Sequence, residues 1–201
     1  MKKFIFLIVL LSNCCVSYTQ SFEVMTGTKR VFIDAQYLKF FDAKNRFSLF
    51  SRARATTEYD APKTDLFTGA YLNYTTKSGF GGTFLGRISS NNSGIDAGIH
   101  YFKATKSFMI YALPSININE ELLYSWFSII RFTPALDQDW KLYSSLELFS
   151  AFSQADHLSS VQRLRVGLDK KGYQFGLAVN LNESRFSNTD INPGIFFRKQ
   201  F

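Results

Sequence analysis

His157-Leu158-Ser159 places an imidazole two residues before a hydroxyl. A histidine so placed can take the serine proton and leave a nucleophilic oxygen, provided a third group orients the ring. A second constellation is larger and electrostatic. Arg30, Arg46, Arg52, Arg54, Arg87, Arg131, Arg163, Arg165 and Arg198 recur along the chain, with Glu23, Asp34, Glu58, Asp96, Glu121, Glu147 and Asp169 among them. If one surface gathered them, the charges could satisfy one another in a confined space. They could also leave a cationic ring that favours anions. His100 alone reads as a hydrogen-bonded wall residue. No cofactor motif or metal-ligand spacing appears: Gly79-Phe80-Gly81-Gly82 is not followed by a helix, as a phosphate loop would be.

The elements carrying these residues are strands. Short stretches alternate apolar and polar residues, a turn intervenes, and the pattern restarts. Twelve segments fit, at about 20–26, 30–41, 46–58, 65–76, 80–89, 95–104, 108–116, 121–132, 140–152, 159–169, 173–182 and 194–201. In the eleventh, Tyr173, Phe175, Leu177, Val179 and Leu181 share one face, while Gln174, Gly176, Ala178, Asn180 and Asn182 share the other. In the sixth, Ile95, Ala97, Ile99 and Tyr101 oppose Asp96, Gly98 and His100. In the second, Val31, Ile33, Ala35 and Tyr37 oppose Arg30, Asp34 and Gln36. Period two sends each set to one side of a sheet. By this parity all nine arginines lie on the polar face. The seventh and eighth segments are apolar on both faces in places.

A soluble sandwich turns its apolar face inward, whereas a membrane barrel turns it to lipid. Apolar-face aromatics sit at one end of nearly every segment: Phe41, Phe47, Tyr74, Phe80, Tyr101, Phe108, Phe132, Trp140, Tyr173 and Phe201. All abut the same set of turns, so a barrel would gather them into one interfacial girdle. Lys39, Lys103 and Lys199 lie beside that girdle, where a long stem can stay in lipid while its charge reaches water. The expected fold is therefore all-β, an antiparallel transmembrane β-barrel. Its interior would be lined by Arg30, Asp34, Arg52, Arg54, Arg87, Asp96, His100, Arg131, Glu147, Arg163, Arg165 and Asp169.

Residues 1–19 read as a cleaved signal peptide: Met1-Lys2-Lys3, the apolar Phe4–Leu11, then a small polar exit. Residues 20–201 form the barrel. Asn13 is large and polar where a lipidation signal before Cys14 wants a small residue. Cys14 and Cys15 leave with the signal, which removes thiol chemistry from the mature chain. The net charge of +7 falls to +5 without Lys2 and Lys3. An exported chain with no basic helix is not expected to meet nucleic acid.

Gly194-Ile195-Phe196-Phe197-Arg198-Lys199-Gln200-Phe201 resembles the C-terminal strand of Gram-negative outer-membrane β-barrel proteins. Phe201, Phe197 and Ile195 match that pattern, while Lys199 departs from it. The resemblance implies an outer-membrane location, lipid contact, recognition by the barrel-assembly machinery and a periplasmic C-terminus. A periplasmic end requires a strand before 30–41. Gln20–Thr26 supplies it and makes twelve; without it the count is ten. The longest opposite-end connection would be Glu183–Pro193, able to fold in as a partial plug. His157-Leu158-Ser159 resembles the His-x-Ser pair of outer-membrane phospholipases and lipid A deacylases. Those families carry an orienting residue about a dozen positions later, where this chain has Lys171, with Asp169 nearby.

The expected function is a narrow passive channel for small solutes, anions among the candidates, without cofactor or catalysis. The alternative is a closed barrel serving as a structural or partner-docking subunit of an envelope complex. A lipid hydrolase using His157 and Ser159 is the distant third.

Overall fold

The computed structural model describes residues 19–61, 63–90, 93–118, 123–154, 156–185 and 187–201. Most of the signal segment, Glu121 and Asn91-Asn92 lie outside these. The chain runs as β1 (Thr19–Gly27), β2 (Arg30–Phe40), β3 (Phe47–Glu58), β4 (Thr64–Thr75), β5 (Phe80–Ser89), β6 (Ser93–Ala104), β7 (Phe108–Asn117), β8 (Tyr124–Phe132), β9 (Trp140–Phe152), β10 (His157–Lys170), β11 (Tyr173–Ser184) and β12 (Ser187–Gln200). Every strand pairs antiparallel with its chain neighbour, and β12 pairs with β1 from Ser21↔Gln200 to Gly27↔Gly194, which closes the barrel. The count is twelve. Closure leaves no open edge, so backbone groups find partners without water. Strands of 9 to 14 residues are long enough to cross a bilayer when tilted.

Parity sorts the two faces. Leu177, Ile99 and Phe84 are 69%, 67% and 62% exposed on the outside, whereas Tyr143 and Met25 are fully buried inside. An apolar exterior around a hydrogen-bonded closed sheet is the inverse of a soluble protein and fits a lipid surround. The girdle aromatics lie on the outer face at one end. Phe47 packs on Tyr74 at 4.8 Å between ring centres, and Phe80 on Tyr101 at 5.0 Å. Lys199 Nζ sits 3.5 Å from the centre of the Tyr173 ring, and Lys39 Nζ 5.7 Å from that of Phe41.

The connection expected over Glu183–Pro193 is not a long loop. β11 continues to Ser184 and β12 begins at Ser187, so only residues 185–186 lie between and no plug can form there. Asp190 and Asn192 turn inward while Ile191 and Pro193 turn outward, extending the alternation. Pro193 reads as a break because it cannot donate to a ladder. It is tolerated because it stands where the β1 ladder ends, one residue beyond Gly27↔Gly194, and meets that side as an acceptor: its carbonyl takes the Thr28 N–H at 2.9 Å.

At the girdle end the β2–β3 turn is built by Asp42. Its carboxylate accepts hydrogen bonds from the backbone N–H groups of Phe47 (2.7 Å), Arg46 (2.8 Å) and Lys44 (3.1 Å), with Asn45 at φ 53°. The Phe47 N–H, with those of Arg46 and Lys44, holds the carboxyl below the usual aspartate value. A lowered value means the stabilisation is complete above the ordinary carboxylate range and is lost as pH falls through the lowered one. Asp42→Ala should speed amide exchange at Arg46 and Phe47 at neutral pH. Acidification should do the same to the unaltered chain, both read by hydrogen exchange.

Candidate functional site: the charged lumen

The interior at mid-height is crossed by side chains from opposite walls. Arg52 on β3 grips Asp34 on β2 with two parallel bonds, Nε to Oδ1 at 2.6 Å and Nη2 to Oδ2 at 2.8 Å. Its third nitrogen, Nη1, donates to Glu147 Oε2 at 2.6 Å. Glu147 lies on β9, six strands round a ring of twelve, so this one guanidinium spans the lumen. Glu147 also accepts from Arg54 Nη2 at 2.9 Å and from its cross-strand neighbour Arg163. The planar fork of arginine suits such multiple engagement.

A second knot adjoins the first. Arg165 Nε donates to Glu23 Oε1 at 2.9 Å, and its Nη1 to Asn180 Oδ1 at 2.9 Å. Arg198 donates to Ser21 Oγ (2.7 Å), Gln36 Oε1 (2.9 Å) and Tyr143 Oη (3.2 Å). Arg163 and Arg165 both lie over the Phe32 ring, 5.0 and 5.7 Å from its centre. A space of about 20 Å³ remains between the knots, lined by five arginines and three carboxylates: Arg52, Arg131, Arg163, Arg165, Arg198, Glu23, Asp34 and Glu147. That volume is close to what one water occupies.

Other residues expected inside are also on the inward parity, in smaller local contacts. Arg87 Nε donates to Asp96 Oδ2 at 2.7 Å, and Asn117 Nδ2 to Asp96 Oδ1 at 2.8 Å. Arg30 pairs with Asp190 and, at 3.5 Å, with Glu58 near the end opposite the girdle. Asp169 accepts from Gln174 Nε2 at 2.7 Å and caps the β10–β11 turn through Gly172 N. His100 is held at both ring nitrogens, by Thr75 Oγ1 at 2.9 Å and Thr83 Oγ1 at 2.8 Å.

Charge alternation did not reveal how much of the lumen is apolar. Met25, Phe32, Tyr143, Ala178 and Phe196 form one inward cluster. Tyr71, Leu85, Leu113, Phe127 and Ile129 form another. Phe32 and Phe196 occupy even positions beside Asp34 and Arg198, so parity carried the signal; residue type obscured it. Between the network and the girdle end lies a cavity of about 150 Å³.

His157 and Ser159 are not brought together. The register slips between them, so His157 pairs with Phe152 on the outer face while Ser159 pairs with Ala151 on the inner face. His157 Nε2 instead meets Ser160 Oγ at 2.7 Å. Asp169 is engaged with Gln174, and Lys171 reaches Asp139 at 3.3 Å, so neither orients the imidazole. Among the described residues no group of three His, Cys, Asp or Glu could hold a metal ion.

No protein-family model matches the chain, and no curated protein sequence does. Solved structures match its fold. It is similar to the KdgM porin (TM-score 0.56, 12% identity, 91% of this chain and 99% of that one). It is similar to the NanC porin (TM-score 0.53, 9% identity, 91% and 98%). It is also similar to LpxR from Salmonella typhimurium (TM-score 0.51, 11% identity, 91% and 99%). At these identities the likeness is one of fold alone: a closed, twelve-stranded antiparallel β-barrel.

Proposed function

We propose that this chain is a narrow passive channel of the outer membrane that favours small anions, with the arginine–carboxylate network as its constriction. The observation that carries the reading is the imbalance at mid-height, where five arginines and three carboxylates line one small space. Arg54 and Arg163 share the single carboxylate of Glu147 with Arg52, and Arg131 pairs with no carboxylate among the described residues. Uncompensated cations in a low-dielectric wall lower the barrier for negative charge. A porin of the same fold has been solved with oligogalacturonate, itself anionic, which agrees in sign with this lumen. Assembly would proceed through the C-terminal strand ending at Phe201.

Reconstituted protein in a planar bilayer under a salt gradient should give conductance steps and a reversal potential of the anion-selective sign. Arg52→Gln with Arg163→Gln should shift that potential toward zero, and the shift should shrink at high salt, where screening is strong.

One observation favours a second reading, a closed barrel with a structural or docking role. Arg52 bridges opposite walls, and Tyr71 on β4 approaches Phe127 on β8 with ring centres 6.3 Å apart. Absence of conductance steps from folded protein would select that reading.

A further inference from the structure

We infer that the cavity between the network and the girdle end is a binding site for a small monocarboxylate with a compact apolar body, of the size and character of benzoate. As the substrate class of the passage this rests on the channel reading; as a binding site it is tested independently.

The cavity holds about 150 Å³, a size that admits a benzene ring. Its wall carries a broad apolar area: Leu38, Phe40, Phe50, Phe102 and Met109 face it from four strands, with Gln36, Asn73 and His100 among the polar residues that complete the lining. The polar side chains between them are largely committed: His100 to Thr75 and Thr83, Asn73 to Thr83, and Gln36 to Asp34 and Arg198. A hydroxylated sugar acid would therefore find few free partners for its hydroxyls, at a cost an aromatic or aliphatic body does not incur. Its floor is cationic. Arg131 and Arg198 line it, and among its lining residues there is no carboxylate. Arg198 is engaged by Ser21, Gln36, Tyr143 and, at 3.8 Å, Glu23, whereas Arg131, which lies over the Tyr143 ring, pairs with no carboxylate among the described residues. An anionic head with an apolar body answers both features at once: the carboxylate meets Arg131 and the ring takes the apolar wall. Arg131 and Arg198 also line the mid-barrel space, so a carboxylate bound there stands at the entrance to the constriction.

Met109 lines the cavity, while Met25 packs with Phe32, Tyr143 and Phe196 in the separate inward cluster. Methionine-methyl NMR of the barrel in lipid nanodiscs therefore reports the site and a control position together. Benzoate should shift the Met109 methyl saturably and leave Met25 in place. Benzyl alcohol, which lacks the charge, and glucuronate, which lacks the apolar body, should each bind at least tenfold more weakly. Arg131→Leu should weaken benzoate at least tenfold and leave benzyl alcohol unchanged. Phe40→Ser should weaken both and serves if Arg131→Leu does not fold, a state the Met25 signal reveals. No saturable Met109 shift, equal affinity for glucuronate, or unchanged benzoate affinity in Arg131→Leu would overturn the proposal. A barrel that binds benzoate but never conducts would overturn the channel reading and leave this site standing. One that conducts anions but gives no Met109 shift would do the reverse.

Discussion

Glu147→Ala should destabilise the barrel by about 3–5 kcal/mol, the usual cost of removing one partner from a buried ion pair. Glu147 is 6% exposed and is the shared ion-pair partner of Arg52, Arg54 and Arg163. Its loss leaves three guanidinium groups close together in the lumen, with Asp34 the remaining carboxylate within reach of Arg52 and Arg54. Glu147→Gln keeps an acceptor oxygen and should cost less. A lowered urea midpoint with an unchanged slope in lipid vesicles is the expected signature. Adding Arg54→Ala should recover part of the loss, a coupling that a double-mutant cycle isolates. Wherever the variant remains folded, the larger cationic excess should raise anion selectivity. An unchanged midpoint would mean that bulk water already fills the mid-lumen and screens these charges.

The sequence made the outside of this molecule legible and the inside only half so. Lipid demands one thing of Leu177, Ile99 and Phe84, that they be apolar, so the outer face is a clean period-two signal. The girdle and the inward arginines follow from it by parity. The lumen imposes no single chemistry. In β7 and β8 the inward positions are Leu113, Phe127 and Ile129, which is why these strands read as apolar on both sides. Those residues pack across the barrel, a contact between distant segments that local pattern does not encode. The pairing of Arg52 with Glu147 is likewise set by barrel closure: positions 95 apart meet because β3 and β9 stand opposite. One local misreading had a local cause: Pro193 mimicked a strand break at the place where the β1 ladder ends, and there it serves as an acceptor for Thr28. The register slip that parts His157 from Ser159 leaves no mark in residue type.

Leu177→Arg should cost about 2–4 kcal/mol, the range for a cation at the bilayer midplane on the lipid face of a barrel. Leu177 is central in β11, pairs with Val166 and Ile195, and has an outer face surrounded by apolar neighbours. An arginine there has no inward counterion to reach, because its side chain leaves the wall on the side away from Glu23 and Glu147. It must snorkel or draw water into the lipid. Tyr173→Arg, on the same face but beside the β10–β11 turn, should cost no more than about 1 kcal/mol, since the interface is within reach of the long side chain. The difference between these variants, measured by reversible unfolding from lipid vesicles, reads depth in the membrane. If the two cost the same, or Leu177→Arg costs nothing, then the outer face of this sheet meets water, and the membrane placement on which the channel reading depends is wrong.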